Sequence, residues 1–272
     1  MTSPVIRCRD RRPMLPDPNV RHLKRSPIEL VVFELLLPPG LEPLGAAQIL
    51  ELKEAVASHG WTATRFESAF RRNLKLKLEP GEMLADEARG WTLIGQEDPP
   101  VTASIFPTVV NIQANRYSSW RHSLRQTFEA VITAMHEVMK PPAVQRIGLR
   151  YINRLVDPEA QNADHWRGKV VDELLGAALH PVLGPALAGS QQQLDLAWEG
   201  GVTGVIRHGA FRDGAVSNSF SYLLDIDISD ANGGNFTPAR VLSVVDGLQL
   251  MAVSVFQQSL TERYLEVLRG EN

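Results

Sequence analysis

Three arginines recur at every fourth position in "RIGLRYINRL" (146–155), and two aspartates stand two apart in "SYLLDIDIS" (221–229). On a strand, side chains alternate between faces. Arg146, Arg150 and Arg154 would then share one side, and Asn153 the other, with Ile147, Leu149, Tyr151 and Leu155. Asp225 and Asp227 also share a face, opposite Leu224, Ile226 and Ile228. Two chemistries fit this pattern. On neighbouring strands the two ladders form guanidinium–carboxylate pairs on the polar side of a sheet, and this is the expected arrangement. Left free, the arginines would hold a phosphate or an acidic patch on a partner.

The segment "DIDISDANGGN" raises a metal question through Asp225, Asp227 and Asp230. It fails the calcium-loop pattern, which places Gly sixth and a bidentate Glu twelfth. No partner Glu or His can be identified for a Mg²⁺ ion, so no metal ligand is assigned, and Asp230-Ala-Asn-Gly-Gly is the turn into a helix. His122 and His136 fall on one helix face about 21 Å apart, too far for one ion. His208, beside Arg207 at a glycine-flanked strand end, is the one histidine to inspect as an acid or base. The chain has no phosphate-binding glycine loop, dinucleotide fingerprint, H-E-x-x-H or G-x-S-x-G. Its single cysteine, Cys8, has no adjacent base. No catalytic residue and no cofactor is expected.

The elements that must position these residues are legible from periodicity. Residues 27–37 form an apolar strand on both faces, 44–60 a helix, and 71–79, 90–97 and 108–117 three strands. In 71–79, Leu74, Leu76 and Leu78 alternate with polar residues. A long helix follows over 118–140, with Trp120, Leu124, Phe128, Val131, Met135 and Val138 as its buried stripe and Ser118 or Ser119 as its cap. The second half runs strand 144–156, helix 164–180, and strands 191–199, 201–209 and 219–229. A single long helix over 237–270 closes it, capped by Thr237 with Pro238 at its first position. First strand and long helix are equally far apart in both halves, from 28 to 119 and from 146 to 237. The expected fold is therefore α+β, a tandem duplication of a strand–helix–three-strand–long-helix unit. Each copy would have a small antiparallel sheet with a helix across one face, similar to the helix-grip and TATA-binding-like architectures. The boundaries are a basic arm (1–25), a first repeat (26–140) and a second (141–272).

Composition narrows the function classes. Across 272 residues, 44% hydrophobic and 22% charged content is that of a globular protein. The sequence shows no apolar run of membrane-spanning length and no secretory leader, so a cytoplasmic location without a membrane is expected. Residues 1–25 hold six Arg and one Lys against Asp10 and Asp17, a net +5, which leaves −8 on the remainder. Such an arm could touch nucleic acid, but four prolines and few large apolar residues make a solvated, poorly ordered tail the simpler reading.

"RIGLRYINRL", the opening "SPIELVVFEL" and the closing "LDIDIS", followed by a helix holding "VFQQSLTE", resemble a sporadically distributed family of bacterial proteins with no established activity. The resemblance spans 26–270 and is most specific over Gly148–Arg154, the "GLRYINR" strand. It departs over 108–117, where the family has a longer glutamine-rich strand. This bears on Asn111, Gln113 and Asn115. The resemblance assigns no catalytic residue. It implies a patchily inherited bacterial gene of the mobile or defence-linked kind, whose product works with a protein encoded nearby. The expectation is a non-catalytic binding or regulatory partner, with Arg146, Arg150, Arg154, Asn153, Asp225 and Asp227 in its binding site. The alternative is a metal-dependent enzyme or binder acting on a nucleotide or nucleic acid.

Overall fold

The computed structural model describes residues 15–76, 83–115, 119–216 and 219–271. The chain is α+β. Its elements in order are β1 (Ile28–Leu36), α1 (Ala46–Ser58), β2 (Ala63–Leu76), β3 (Met83–Gly95), β4 (Thr102–Ile105), β5 (Val109–Ala114) and α2 (Arg125–Val138). There follow β6 (Ala143–Val144), β7 (Arg146–Leu155), α3 (Asp172–Leu175), β8 (Gln192–Ala197), β9 (Val202–Asp213), β10 (Ser219–Asp230), β11 (Gly234–Asn235), α4 (Pro238–Gln258) and α5 (Glu262–Arg269).

The two small sheets expected from sequence are one. Nine strands pair in the order β2-β3-β4-β5-β1-β7-β10-β9-β8, every neighbour antiparallel, and β6 and β11 form a separate two-stranded ribbon. β1 and β7 join the halves at the centre, with Val32 opposite Arg150 and Glu34 opposite Gly148. At ordinary strand spacing the sheet is roughly 40 Å wide.

Alternation along these strands sorts the side chains cleanly. Val31, Phe33 and Leu35, then Ile147, Leu149 and Tyr151, then Leu224, Ile226 and Ile228 are all buried on one face. α4 lies over β7 and β10 and meets α2, which in turn meets α1. The Phe33 ring sits 4.9 Å from Phe128 of α2. Each such side chain withdrawn from water contributes about 1.5–3 kcal/mol. On α4 one stripe is buried: Leu242, Val245, Leu248, Ala252 and Val255. By length and composition alone, α4 is apolar enough to cross a membrane, contrary to the expectation from sequence. Its buried side chains, among them Val245, Leu248 and Val255, belong to the core of the fold, and the helix packs on the sheet and on α2.

Four further elements differ from expectation. A short strand, β4, falls between those expected at 90–97 and 108–117, so the first half has four strands after its helix, not three. The strand expected at 71–79 begins earlier, at Ala63, and its alternating Leu74, Leu76 and Leu78 fall outside the described side chains. Residues 164–180 are not one helix. Gly168 and Gly176 take positive φ (74° and 48°), which splits the segment into short turns around α3. Trp166 is fully buried there and donates to the Phe220 carbonyl at 3.1 Å. The terminal helix breaks at Ser259–Thr261, because the Ser259 carbonyl accepts from Val171 and the Thr261 amide donates to Lys169. Thr261 then caps α5 by accepting from Tyr264 at 3.3 Å.

Two helix starts are also informative. Thr237 caps α4 as expected, accepting from Arg240. Before α2, residues Trp120–Leu124 form a π turn in which the Ser119 carbonyl accepts from Leu124, five residues on, and from the Ser123 hydroxyl. Residues 15–25, expected as part of an unstructured arm, instead run along the terminal helices. Ser254 donates to the Pro16 carbonyl (2.7 Å), Asn19 exchanges two hydrogen bonds with Gln257, and the Arg25 amide donates to Leu268. The arm's first fourteen residues, with Cys8, lie outside the described residues.

Candidate functional site: a helix-free ion-pair face and a cavity behind it

The strand register places Arg146, Arg150, Arg154, Asp225 and Asp227 together on the sheet face that carries none of the described helices. Each arginine is engaged. Arg150 grips Asp225 with two bonds, Nε–Oδ1 at 2.7 Å and an Nη–Oδ2 contact at 2.6 Å, although its direct cross-strand neighbour is Asp227. The diagonal pairing lies within reach of a long side chain on a twisted sheet. Arg207 approaches the same carboxylate at 3.5 Å from the other side, and the Asp225 side chain is only 4% exposed. The Asp225 hydrogen bond holds the Arg150 pKa above its ordinary value.

Arg146 donates to Glu34 at 2.7 Å and lies 3.7 Å from Asp227. Its guanidinium crosses Gly148, where an added Cβ would come within 2.9 Å of it. The motif glycine is thus the space through which Arg146 reaches β1. Arg154 donates to Asp213 at 2.6 Å, a carboxylate that also accepts from the Ser221 hydroxyl and the Ala215 amide. Burial alone would raise the Asp213 pKa, but these donors bring it below the ordinary carboxylate value. The outcome is a charge-balanced ladder across β1, β7, β10 and β9 rather than a cluster of free cations.

Both Asp225 oxygens are held by Arg150, so a cation there would have to displace a guanidinium. Asp230 accepts from the Asn232 amide in a turn. Among the described residues, no three His, Cys, Asp or Glu side chains are placed to hold a metal ion. His208 is buried on the opposite face, with Nδ1 2.8 Å from the Tyr222 hydroxyl, and burial lowers its pKa. His136 is exposed and stacks on Phe236.

Asn153 is separated from the arginines. It is 3% exposed on the helix side, donates to the Leu224 carbonyl at 3.0 Å, and lines a cavity of about 400 Å³. The cavity lies between the sheet, α4, the π turn and residues 19–28. Sequence reasoning missed most of its wall, notably Arg121 and the segment 19–28. The available signal was the second face of the "GLRYINR" strand, which supplies both Tyr151 and Asn153.

A third polar group sits beyond the end of β7. Asp157 accepts from Lys169, from the Glu159 amide (2.9 Å), and pairs with His165 (2.9 Å). Burial opposes ionisation there, but these partners pull its pKa down to about 2. The group ties the loop around Trp166 to the sheet, with Lys169 over the indole at 5.3 Å.

No family model matches this chain, and no curated protein matches it. Among solved structures, the Pct1 RNA triphosphatase of S. pombe aligns over 91% of this chain and 87% of its own, at 8% identity with a TM-score of 0.11. A likeness at that score carries no argument about fold or chemistry.

Proposed function

We propose that this chain is a non-catalytic binding protein, a regulatory partner of a protein encoded nearby in a bacterial mobile or defence-type gene module. In this reading it docks its partner on the helix-free face of the sheet, and it works in the cytoplasm. One observation carries the reading: Arg146, Arg150 and Arg154 are each engaged by a carboxylate of the same fold. A face neutralised from within offers shape and polar contacts rather than a phosphate cradle. Kinship with the sporadic bacterial family rests on the Gly148–Arg154 strand.

We also infer a tandem duplication of helix-grip or TATA-binding-like type. Outward from the centre, the sheet runs β1-β5-β4-β3-β2 in one direction and β7-β10-β9-β8, one strand shorter, in the other. In each half, the strand beside the central one, β5 or β10, is the last strand of the large sheet before the long helix.

The test is affinity capture from the native host, with mass spectrometry and an absorbance ratio on the eluate. Gln113 and Asp195 are exposed toward opposite ends of the open face. A stoichiometric protein captured by the wild type and lost in Gln113→Lys and Asp195→Lys, with unfolding temperatures unchanged, is the expected result. Capture that survives both substitutions would overturn the docking face. A nucleotide or nucleic acid in the eluate, with metal-dependent thermal stabilisation, would favour the alternative of a metal-dependent enzyme or binder.

A further inference from the structure

We propose that the cavity behind Asn153 binds an amphipathic anion, a small molecule with an apolar body and one carboxylate-like head. The site lies on the covered side of the sheet, so this proposal is independent of the docking face.

A cavity of about 400 Å³ falls in the range of small-molecule pockets. Its floor is the sheet, through Tyr151, Asn153 and Ile226, and Trp120 and Phe256 close it from the helices. Segment 19–28 forms the remaining wall, fastened where Asn19 and Gln257 exchange bonds of 2.9 and 2.6 Å. Two features of the rim specify the ligand. Val20 and Leu250, 66% and 41% exposed, are two of the seven large apolar side chains left in water among the described residues, and both stand at this cavity. They offer an apolar body something to cover.

The charged side chains that line the cavity have one sign; Asp246, which accepts from the Trp120 indole at 3.1 Å, lies outside the lining and is paired with Arg125. The ionised side chains in the lining are Arg21 and Arg121, His22 adds an imidazole, and no Asp or Glu takes part. Arg21 reaches Glu271 at 3.4 Å on the surface. Arg121 is exposed and has no carboxylate within ion-pair distance among the described residues. This contrasts with the arginines of the open face, each of which has its acid within the fold. Arg121 lies on the π turn that precedes α2. Such insertions recur at functional sites.

The experiment is isothermal titration of the full chain with decanoate, 1-decanol and decyltrimethylammonium, all below their micelle concentrations, and in parallel with a naphthalene carboxylate. The expected result is saturable one-to-one binding of an anion, with the alcohol weaker and the cation not bound. Decanoate or the naphthalene carboxylate binding more tightly would distinguish an aliphatic from an aromatic body. Arg121→Glu, a change at an exposed position, should weaken the anion about tenfold, equivalent to about 1.4 kcal/mol. Val253→Trp should abolish binding by filling the cavity. Absence of saturable anion binding to the wild type, equal binding of alcohol and anion, or an unchanged affinity in a folded Arg121→Glu variant would each overturn the proposal.

Discussion

The two faces of the nine-stranded sheet solve the same packing problem in opposite ways. On the covered face, apolar side chains such as Phe33, Leu149 and Ile226 are buried by α2 and α4, and polar exceptions such as His208 and Asn153 are uncharged and hydrogen-bonded. On the other face none of the described helices arrives, and the sheet covers itself. Arg146 lies over Gly148, Arg150 closes over Asp225 and Arg154 over Asp213, so two carboxylates are almost fully buried without an apolar layer above them. An arginine has both the stem to cover apolar surface and the fork to satisfy a buried carboxylate. A repeating arginine in a strand is therefore as natural a roof as a repeating leucine.

That comparison can be broken most forcefully on the covered face. Phe33→Ala removes a ring packed on Phe128 and should cost about 3–5 kcal/mol in urea unfolding. On the open face, Arg150→Ala leaves the Asp225 carboxylate buried, with Arg207 at 3.5 Å as its remaining cation. A loss of about 2–3 kcal/mol is expected, below the full cost of a broken buried pair because Arg207 stays and Arg150 is itself 38% exposed. Asp225→Ala should cost less, since a freed arginine can turn to water. If Arg150→Ala unfolds at the wild-type urea midpoint, the ladder is not scaffold and the two faces are not equivalent.

Acid titration separates the faces by a smaller effect. His208 is kept neutral by burial, with its pKa below the ordinary value of about 6.5. The unfolded chain therefore takes up this proton first, so stability is complete above pH about 6.5 and falls as the pH drops toward the folded value. Asp213 is also lowered, but from a carboxylate value of about 3.9. Its contribution persists through mild acid and is lost only as the pH falls below that. Unfolding free energy measured against pH should show both limbs. His208→Gln should flatten the upper one and Asp213→Asn the lower. A profile unchanged by either substitution would show that these burial effects do not reach stability.

Much of this was written in local pattern. Period two in "RIGLRYINRL" and "LLDIDIS" put the arginines and aspartates on one face each, and that alone foretold pairing on a polar side of the sheet. The buried stripe of the helix over 118–140 and the Thr237-Pro238 start of α4 were equally plain. The four-residue β4 was not, because so short a strand carries too little alternation to stand out. Residues 164–180 have helical spacing, yet Gly168, Gly176 and the burial of Trp166 against Phe220 give their backbone other partners. The break of the terminal helix before Thr261 was not legible either, because Lys169 and Val171, some ninety residues away, take up the backbone groups there.

The sequence by itself determined which residues share a face, because alternation is a property of the extended backbone and needs no neighbour. It also determined the α+β class and the start of the long helix at Thr237, through period and cap, but not the break that ends that helix at Gln258. Only the tertiary structure decided that nine strands form one sheet, that Arg150 takes Asp225 rather than Asp227 opposite it, and that residues 19–28 wall a cavity over Asn153. Those outcomes depend on strand order, twist and the route of a segment more than a hundred residues away in the chain, and contacts of that range leave no local periodicity to read.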